Sequence, residues 1–210
     1  MSKTLLYLVR HGQSLFNMQN RIQGKAIDAT NTLSELGRHQ AENRSKSLQS
    51  VSFDTCFSSP IIRCKETAEF LLASRGLQPT FLDALKEKEQ GIVVGRTRQE
   101  LFAQYPSWND LTEEERLDAK PIPGEESQRE LRDRAFNAIK TITTESPDKT
   151  ILIVTHGGFM RALYTFLAHK TLRDMWHFEN CGYMVLEYTK ENFSVTETVG
   201  LSLKTVADLV

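Results

Sequence analysis

The sequence predicts an α/β fold, a three-layer sandwich with a mostly parallel central sheet and helices on both faces. Three observations predict it. Short apolar runs rich in β-branched and aromatic residues recur along the chain. Between them lie stretches with helical spacing and recognisable ends, so the order is βαβ in character and implies parallel strands covered on both sides. At 210 residues the chain is long enough for one such domain with a sizeable core and too short for two ordinary ones, so residues 1–210 are expected to form a single domain.

The strands are expected at Thr4 to Val9, Phe53 to Phe57, Ile151 to Thr155 and Met184 to Tyr188, with a weaker fifth at Pro79 to Leu82. Ser34 ahead of Glu35-Leu36-Gly37 can cap a helix that runs to about Leu48. Ser59-Pro60 reads as the N-cap and first position of the next helix, because proline lacks a donor that this position leaves unpaired anyway. That helix continues through Leu72, stops near Gly76, and carries Arg63 in its first turn. A longer helix is expected from about Glu126 to Thr143, where Leu131, Ala135, Ala138, Ile139 and Ile142 share one face. The stretch of about 105–125 holds Pro106, Pro121, Pro123 and Gly124 and an acidic run at Glu113 to Glu115, and reads as a surface excursion and candidate lid. Leu201 to Val210 reads as an amphipathic tail packed on the domain.

Composition narrows the function. With 26 basic and 27 acidic side chains the formal net charge is -1, which gives no bulk field for nucleic acid or an anionic membrane surface. The apolar run Leu5 to Val9 is too short for a signal segment and meets Arg10 at once, and no other run has the length of a membrane span. Cys56, Cys64 and Cys181 are odd in number and lack metal-ligand spacing, as expected of reduced thiols in a soluble cytoplasmic protein. No helical His-x-x-x-His pair occurs among His11, His39, His156, His169 and His177, which argues against a zinc hydrolase, and no metal or cofactor is expected. Cys64 beside Arg63 lacks the phosphate-cradling loop of a thiolate phosphatase.

The chemistry is concentrated where two strands end in His-Gly. Leu5 to Val9 runs into Arg10-His11-Gly12, and Ile151 to Val154 runs into Thr155-His156-Gly157-Gly158. Ligands of open parallel sheets bind beyond the carboxyl ends of the strands, so both histidines are expected at one crevice. An imidazole with one nitrogen held by a backbone carbonyl presents the other to phosphorus, and a phosphohistidine splits one hard displacement into two easier ones. Glycine after each histidine lets backbone approach the phosphate. Arg10 and Arg63 supply planar forks for its oxygens, the kind of charge stabilisation in which most phosphoryl-transfer catalysis resides. Each piece alone is common; their joint placement is not.

Taken together, these residues resemble the histidine phosphatase superfamily, in the branch shared with cofactor-dependent phosphoglycerate mutases, over about Leu5 to Tyr188. The resemblance implies His11 as the phosphorylated nucleophile, with Arg10, Arg63 and His156 completing the phosphate pocket. Asn17 matches a phosphate-contacting asparagine, and Gln23 and Gly24 match the glutamine-glycine that closes over it; Gly157 joins them as a phosphate-binding position. Leu33 to Ala41 is similar to the family's Leu-Thr-x-x-Gly-x-x-Gln-Ala helix entry, which makes His39 a surface residue, and Asn180-Cys181-Gly182 also resembles a family turn.

In Leu85-Lys86-Glu87-Lys88-Glu89-Gln90-Gly91 the family pattern selects Glu87 as the proton donor over its rival Glu89. A bound phosphate favours the protonated form of a neighbouring carboxyl, which can then donate to the leaving alkoxide and afterwards take a proton from water. Val93-Val94-Gly95 replaces the aromatic and acidic pair of many relatives, and the Gly24 to Leu33 loop is slightly long, so specificity departs from the family pattern. Gln13, where mutases usually show glutamate, and the short stretch from Glu87 to His156 favour a metal-independent phosphatase of a small phosphate monoester, with a mutase as the alternative. A non-catalytic interaction protein of the same fold is disfavoured, because His11, Arg10, Arg63, Glu87 and His156 are all present. Phe16, Ile27, Tyr105, Trp108 and Phe159 are candidates to line the pocket for the alcohol, although core packing is the commoner use of such side chains. His169 and His177, near Trp176, read as packing or surface residues, and neither the alcohol nor the oligomeric state is legible.

Overall fold

The computed structural model describes residues 3–25, 29–105 and 111–204. Its elements in chain order are β1 (Thr4–Arg10), α1 (Leu15–Met18), α2 (Glu35–Ser47), β2 (Thr55–Ser58), α3 (Ile62–Leu72) and β3 (Pro79–Phe81), then α4 (Arg98–Gln104), α5 (Glu113–Asp118), α6 (Gln128–Glu145), β4 (Thr150–Thr155), α7 (Gly157–Leu167), β5 (Trp176–Thr189) and β6 (Asn192–Leu203). The strands form one sheet in the order β3-β2-β4-β1-β5-β6. The first four in that order run parallel, while β5 is antiparallel to β1 and β6 to β5.

Successive side chains of a strand point to opposite faces, and here both faces are buried. Leu6, Leu8, Ile151, Ile153, Met184 and Leu186 face α6 and α7, where Ile139, Ile142, Phe159 and Leu163 complete a core. The intervening Val9, Leu152, Val154, Tyr183 and Val185 face α3, packing on Cys64, Ala68 and Leu71 together with Leu48 at the end of α2. That alternation produces the three layers. A third, small cluster of Ile22, Val93 and Ile122, with Leu101 and Tyr105 against it, lies in the segments beyond the sheet and joins them into a cap.

Four elements differ from expectation. α3 begins at Ile62 with Ile61 as its N-cap, two residues later than the Ser59-Pro60 signal. The Ser59 amide continues the strand path by donating to Val154 O at 2.9 Å, and its hydroxyl is engaged with His156, so the local capping rule is overridden by tertiary contacts. α6 starts at Gln128 behind the N-cap Ser127, whose hydroxyl accepts from Glu130 N while Glu130 reaches back in a capping box. The last expected strand, Met184 to Tyr188, is only the later part of the fourteen-residue β5, which begins at Trp176. Leu201 belongs to β6 rather than to a tail, and residues 205–210 lie outside the described residues.

The excursion at about 105–125 is partly regular. α5 is tied to α6 by Arg129, which pairs with Asp118 at 2.7 Å and Glu114 at 3.0 Å. Residues 106–110, including Trp108, lie outside the described residues, as does Ile27. Among the described residues no helix is long and apolar enough to cross a membrane.

Candidate active site

The register of the sheet brings the two His-Gly sequences together. β1 and β4 are neighbours with Val9 opposite Val154 and Arg10 opposite Thr155, and His11 N extends the pairing by donating to Thr155 O at 3.0 Å. β2 lies on the far side of β4 with Ser58 opposite Val154, which delivers Ser59 and the start of α3 to the same edge. The imidazole rings of His11 and His156 stand 5.2 Å apart, and His11, His156 and Arg63 are each at most 2 % exposed.

Hydrogen bonding specifies both tautomers. His11 Nδ1 lies 2.7 Å from Gly12 O, and a carbonyl only accepts, so Nδ1 carries the proton. Nε2 is then a lone pair, and Arg63 Nε donates to it at 3.2 Å. Arg63 Nη2 bridges His156 Nδ1 at 3.1 Å and Gly24 O at 3.2 Å. Because guanidinium only donates, the His156 proton sits on Nε2, which reaches Ser59 Oγ at 2.8 Å. Burial drives both histidines well below the usual imidazole pKa, and the positive charges of Arg63 and Arg10 add to it. Both rings are therefore neutral at pH 7.

Arg10 donates through Nη1 to Phe178 O and to His177 Nε2, the latter at 3.2 Å. His177, expected as a packing or surface residue, thus contacts the site; it lies in a part of β5 that the apolar pattern did not reveal. The Asn180-Cys181-Gly182 turn grips the His11 backbone. Asn180 Nδ2 and Cys181 N donate to His11 O at 3.1 and 3.3 Å. Cys64 Sγ lies 3.4 Å from His156 Nε2, and burial pushes its thiol pKa up to about 12, a protonated packing group rather than a nucleophile.

The glycines beside the histidines also make room for protein groups. A Cβ on Gly12 would stand 2.5 Å from Gly37 O, so this glycine admits the first turn of α2. A Cβ on Gly157 would press on Arg10 Nε at 3.2 Å, and one on Gly158 would overlap Glu87 Oε1 at 2.3 Å. The pair after His156 makes room for side chains of the site.

The rim residues are held by their amide oxygens. Asn17 is the third residue of α1, where its Oδ1 accepts from Ser14 N at 3.2 Å and from Asn180 Nδ2 at 3.3 Å. Gln23 Oε1 accepts from Ser14 Oγ at 3.0 Å and Asn31 Nδ2 at 3.1 Å. Gly24 has a φ of 59°, and a Cβ there would stand 3.0 Å from Val94 Cγ2 and 3.1 Å from Gln90 Cγ, so the segment after β1 and the segment after Glu87 lie close against each other. Gln13 turns to the start of α2, accepting from Ser34 Oγ at 2.8 Å.

The two candidate acids separate clearly. Glu87 Oε2 accepts from Gly158 N at 3.0 Å in the first turn of α7, and Oε1 from Lys88 N at 2.8 Å. Glu89 Oε1 instead accepts from Gly91 N at 3.2 Å within its own loop. Of the other expected groups, His39 is exposed on α2, Phe159 is fully buried in the core, and Tyr105 packs on the cap cluster. Among the described residues no group of three His, Cys, Asp or Glu side chains is arranged to hold a metal ion. A cavity of about 240 Å³ bounded by Glu113, Gln128, Arg132 and Phe166 shares no residue with the histidine cluster.

Comparison with known proteins agrees with this geometry. Residues 6–199 match the model of the histidine phosphatase superfamily (branch 1). The chain is 30% identical over 162 residues to the uncharacterized phosphatase PhoE of Bacillus subtilis (strain 168), covering 77% of this chain and 76% of that one. It is 29% identical over 205 residues to the probable phosphoglycerate mutase GpmB of Salmonella choleraesuis, covering 93% and 92% of the two chains. Among solved structures, Bacillus stearothermophilus YhfR superimposes with a TM-score of 0.82 at 28% identity over 91% of this chain and 95% of that one. With its paired histidines at adjacent strand ends and a family match spanning nearly its whole length, this chain belongs to the histidine phosphatase superfamily, branch 1.

Proposed function

We propose that the protein is a metal-independent phosphatase that hydrolyses a small phosphate monoester through a phosphohistidine on His11. The observation that carries this reading is the tautomer of His11: Nδ1 is committed to Gly12 O, and the buried Nε2 lone pair faces Arg63. A neutral imidazole in a cationic pocket is ready to attack phosphorus without first losing a proton, and the guanidinium groups neutralise the incoming dianion. On binding, a phosphate oxygen replaces His11 Nε2 as the acceptor of Arg63 Nε–H, which releases the lone pair. The Asn17 and Gln23 amide groups, tethered through oxygen, offer their nitrogens to phosphate, with Gly24 closing over it. The Gly157 amide at the amino end of α7 adds a further donor.

In the first step the His11 Nε2–P bond forms while the P–O bond to the alcohol breaks, and Glu87 gives its proton to the departing oxygen. In the second, Glu87 takes a proton from water as the new O–P bond forms, the N–P bond breaks, and phosphate leaves. A mutase would differ in the acceptor alone, returning the phosphoryl group to a second hydroxyl. The test is phosphate release from p-nitrophenyl phosphate, sugar phosphates, nucleotides and 3-phosphoglycerate, with EDTA present and His11→Ala as control. Chelator-resistant, His11-dependent release supports the phosphatase. Isomerisation of 3-phosphoglycerate without release points to the mutase, and no reaction with any ester to a binding role.

A further inference from the structure

Resting on the reading of Glu87 as the general acid, we propose that Arg134 of α6 is the positioning residue that holds this carboxyl in place. Glu87 sits in the connection between β3 and α4, outside the sheet, where backbone is ordinarily mobile. Yet a general acid works only within hydrogen-bond reach of the leaving oxygen, and a displacement of about 1 Å costs about 100-fold in rate.

Arg134 supplies the missing rigidity. Nη1 donates to Ala84 O at 2.9 Å and Lys86 O at 2.8 Å, and Nη2 to Glu87 O at 3.2 Å. Thr155 Oγ1, one residue before His156, donates to Leu85 O at 2.8 Å. Four consecutive carbonyls leading to the acid are thus gripped by a core helix and by the strand that carries the second histidine.

The remaining donors of Arg134 fix Arg134 itself. Nε and Nη2 each lie 2.8 Å from the two carboxylate oxygens of Glu126, in a bidentate pair. With that pair all five guanidinium donors are used, and lysine, with three donors on one nitrogen, cannot reproduce the set. Glu126 also accepts from Glu89 N at 3.2 Å, and the neighbouring Glu125 holds Lys88 Nζ at 2.6 Å in a buried ion pair. The turn before α6 therefore holds the acid loop just after Glu87, while Arg134 and Thr155 hold it at and before that residue.

The experiment measures kcat/KM for aryl phosphates of rising leaving-group pKa, from p-nitrophenyl to phenyl phosphate, because an enzyme without its acid depends more steeply on the leaving group. Arg134→Lys, Glu126→Gln, Glu87→Gln and the double variant Glu87→Gln/Arg134→Lys are compared, with thermal melts to check folding. Arg134→Lys is expected to lower phenyl phosphate turnover by about 10- to 100-fold and p-nitrophenyl phosphate by no more than about threefold. The double variant should have the slope of Glu87→Gln alone, since both changes disable one group. Equal losses on both esters, or multiplying losses in the double variant, overturn the positioning role. If Arg134→Lys does not fold, Glu126→Gln decides, with a steepening of about three- to tenfold expected and an unchanged slope refuting the proposal. Should Glu87→Gln itself leave the slope unaltered, the acid assignment fails and the inference falls with it, an outcome separate from failure in the Arg134 arm alone.

Discussion

The histidine pocket and the Glu87 loop face the same crevice but are built by opposite means. His11, His156, Ser59 and Arg63 emerge at the ends of three adjacent parallel strands, so sheet register alone brings them together. Glu87 arrives on a connection with no strand partner, where side chains of α6 and β4 donate to the carbonyls of Leu85, Lys86 and Glu87. The comparison teaches that the geometry at His11 is inseparable from the fold, whereas that at Glu87 is carried by a polar clasp outside the sheet. Damage to the first region should remove catalysis altogether, and damage to the second should change its character.

The largest effect is expected at His11. His11→Ala should lower turnover by about 10⁴-fold or more, because no neighbouring group can accept the phosphoryl. Acid-labile, alkali-stable phosphate on the wild-type protein after a rapid quench, missing from His11→Ala, is the accompanying measurement; label retained by the variant would place the nucleophile elsewhere. Next comes Arg63→Lys, which keeps a charge but gives up the fork that spans His11, His156 and Gly24. A loss of about 10²- to 10³-fold in kcat/KM is expected, in the range of removing one preorganised transition-state donor. Activity within threefold or so of wild type would mean that a point charge suffices there.

A smaller and more selective effect is expected in the second region. Glu87→Gln should reduce hydrolysis of alkyl phosphates by about 10²-fold and leave p-nitrophenyl phosphate nearly untouched, while Glu89→Gln should do neither. If the two variants exchange phenotypes, Glu87 is not the donor, and its bonds to Gly158 N and Lys88 N serve only to terminate the loop.

How far each region could be read from sequence follows from the same difference. The histidine pair was legible because each residue directly follows an apolar run, and consecutive residues of a strand carry their own positional information. The α/β class and the capped start of α2 were legible for similarly local reasons. Glu87 was distinguished from Glu89 only through the family pattern, since two exposed-looking carboxylates in one charged loop have no local signal to separate them. Arg134 and His177 were missed because their roles rest on contacts across the molecule, to residues 84–87 and to Arg10. Ser59 was misread for a related reason: its hydroxyl suits a helix cap, but His156 captures it. β6 escaped notice because it is an edge strand, exposed on much of its length and too polar to register as an apolar run.

The pH dependence of stability sharpens the contrast by isolating the first region. His11 and His156 are buried and held well below 6.5 in the folded protein but regain that ordinary value on unfolding. Above about pH 6.5 both states carry neutral imidazoles and the fold suffers no penalty. As pH falls below that value the unfolded chain takes up protons that the folded one refuses, so stability declines until the depressed folded pKa is reached. Each histidine should contribute a slope of up to about 1.4 kcal/mol per pH unit in that window. Carboxylates with lowered folded pKa, such as Glu126, lose their contribution only below their usual value of 4.5, so the range from pH 7.5 to 5.5 reports mainly on the histidines. Urea titrations across that range should show stability falling as the medium is acidified, with a shallower fall in His11→Asn, which has one fewer group to protonate on unfolding. A flat profile in the wild type would mean that the two rings accept protons in place, and that the pocket is less cationic toward them than its packing against Arg63 and Arg10 requires.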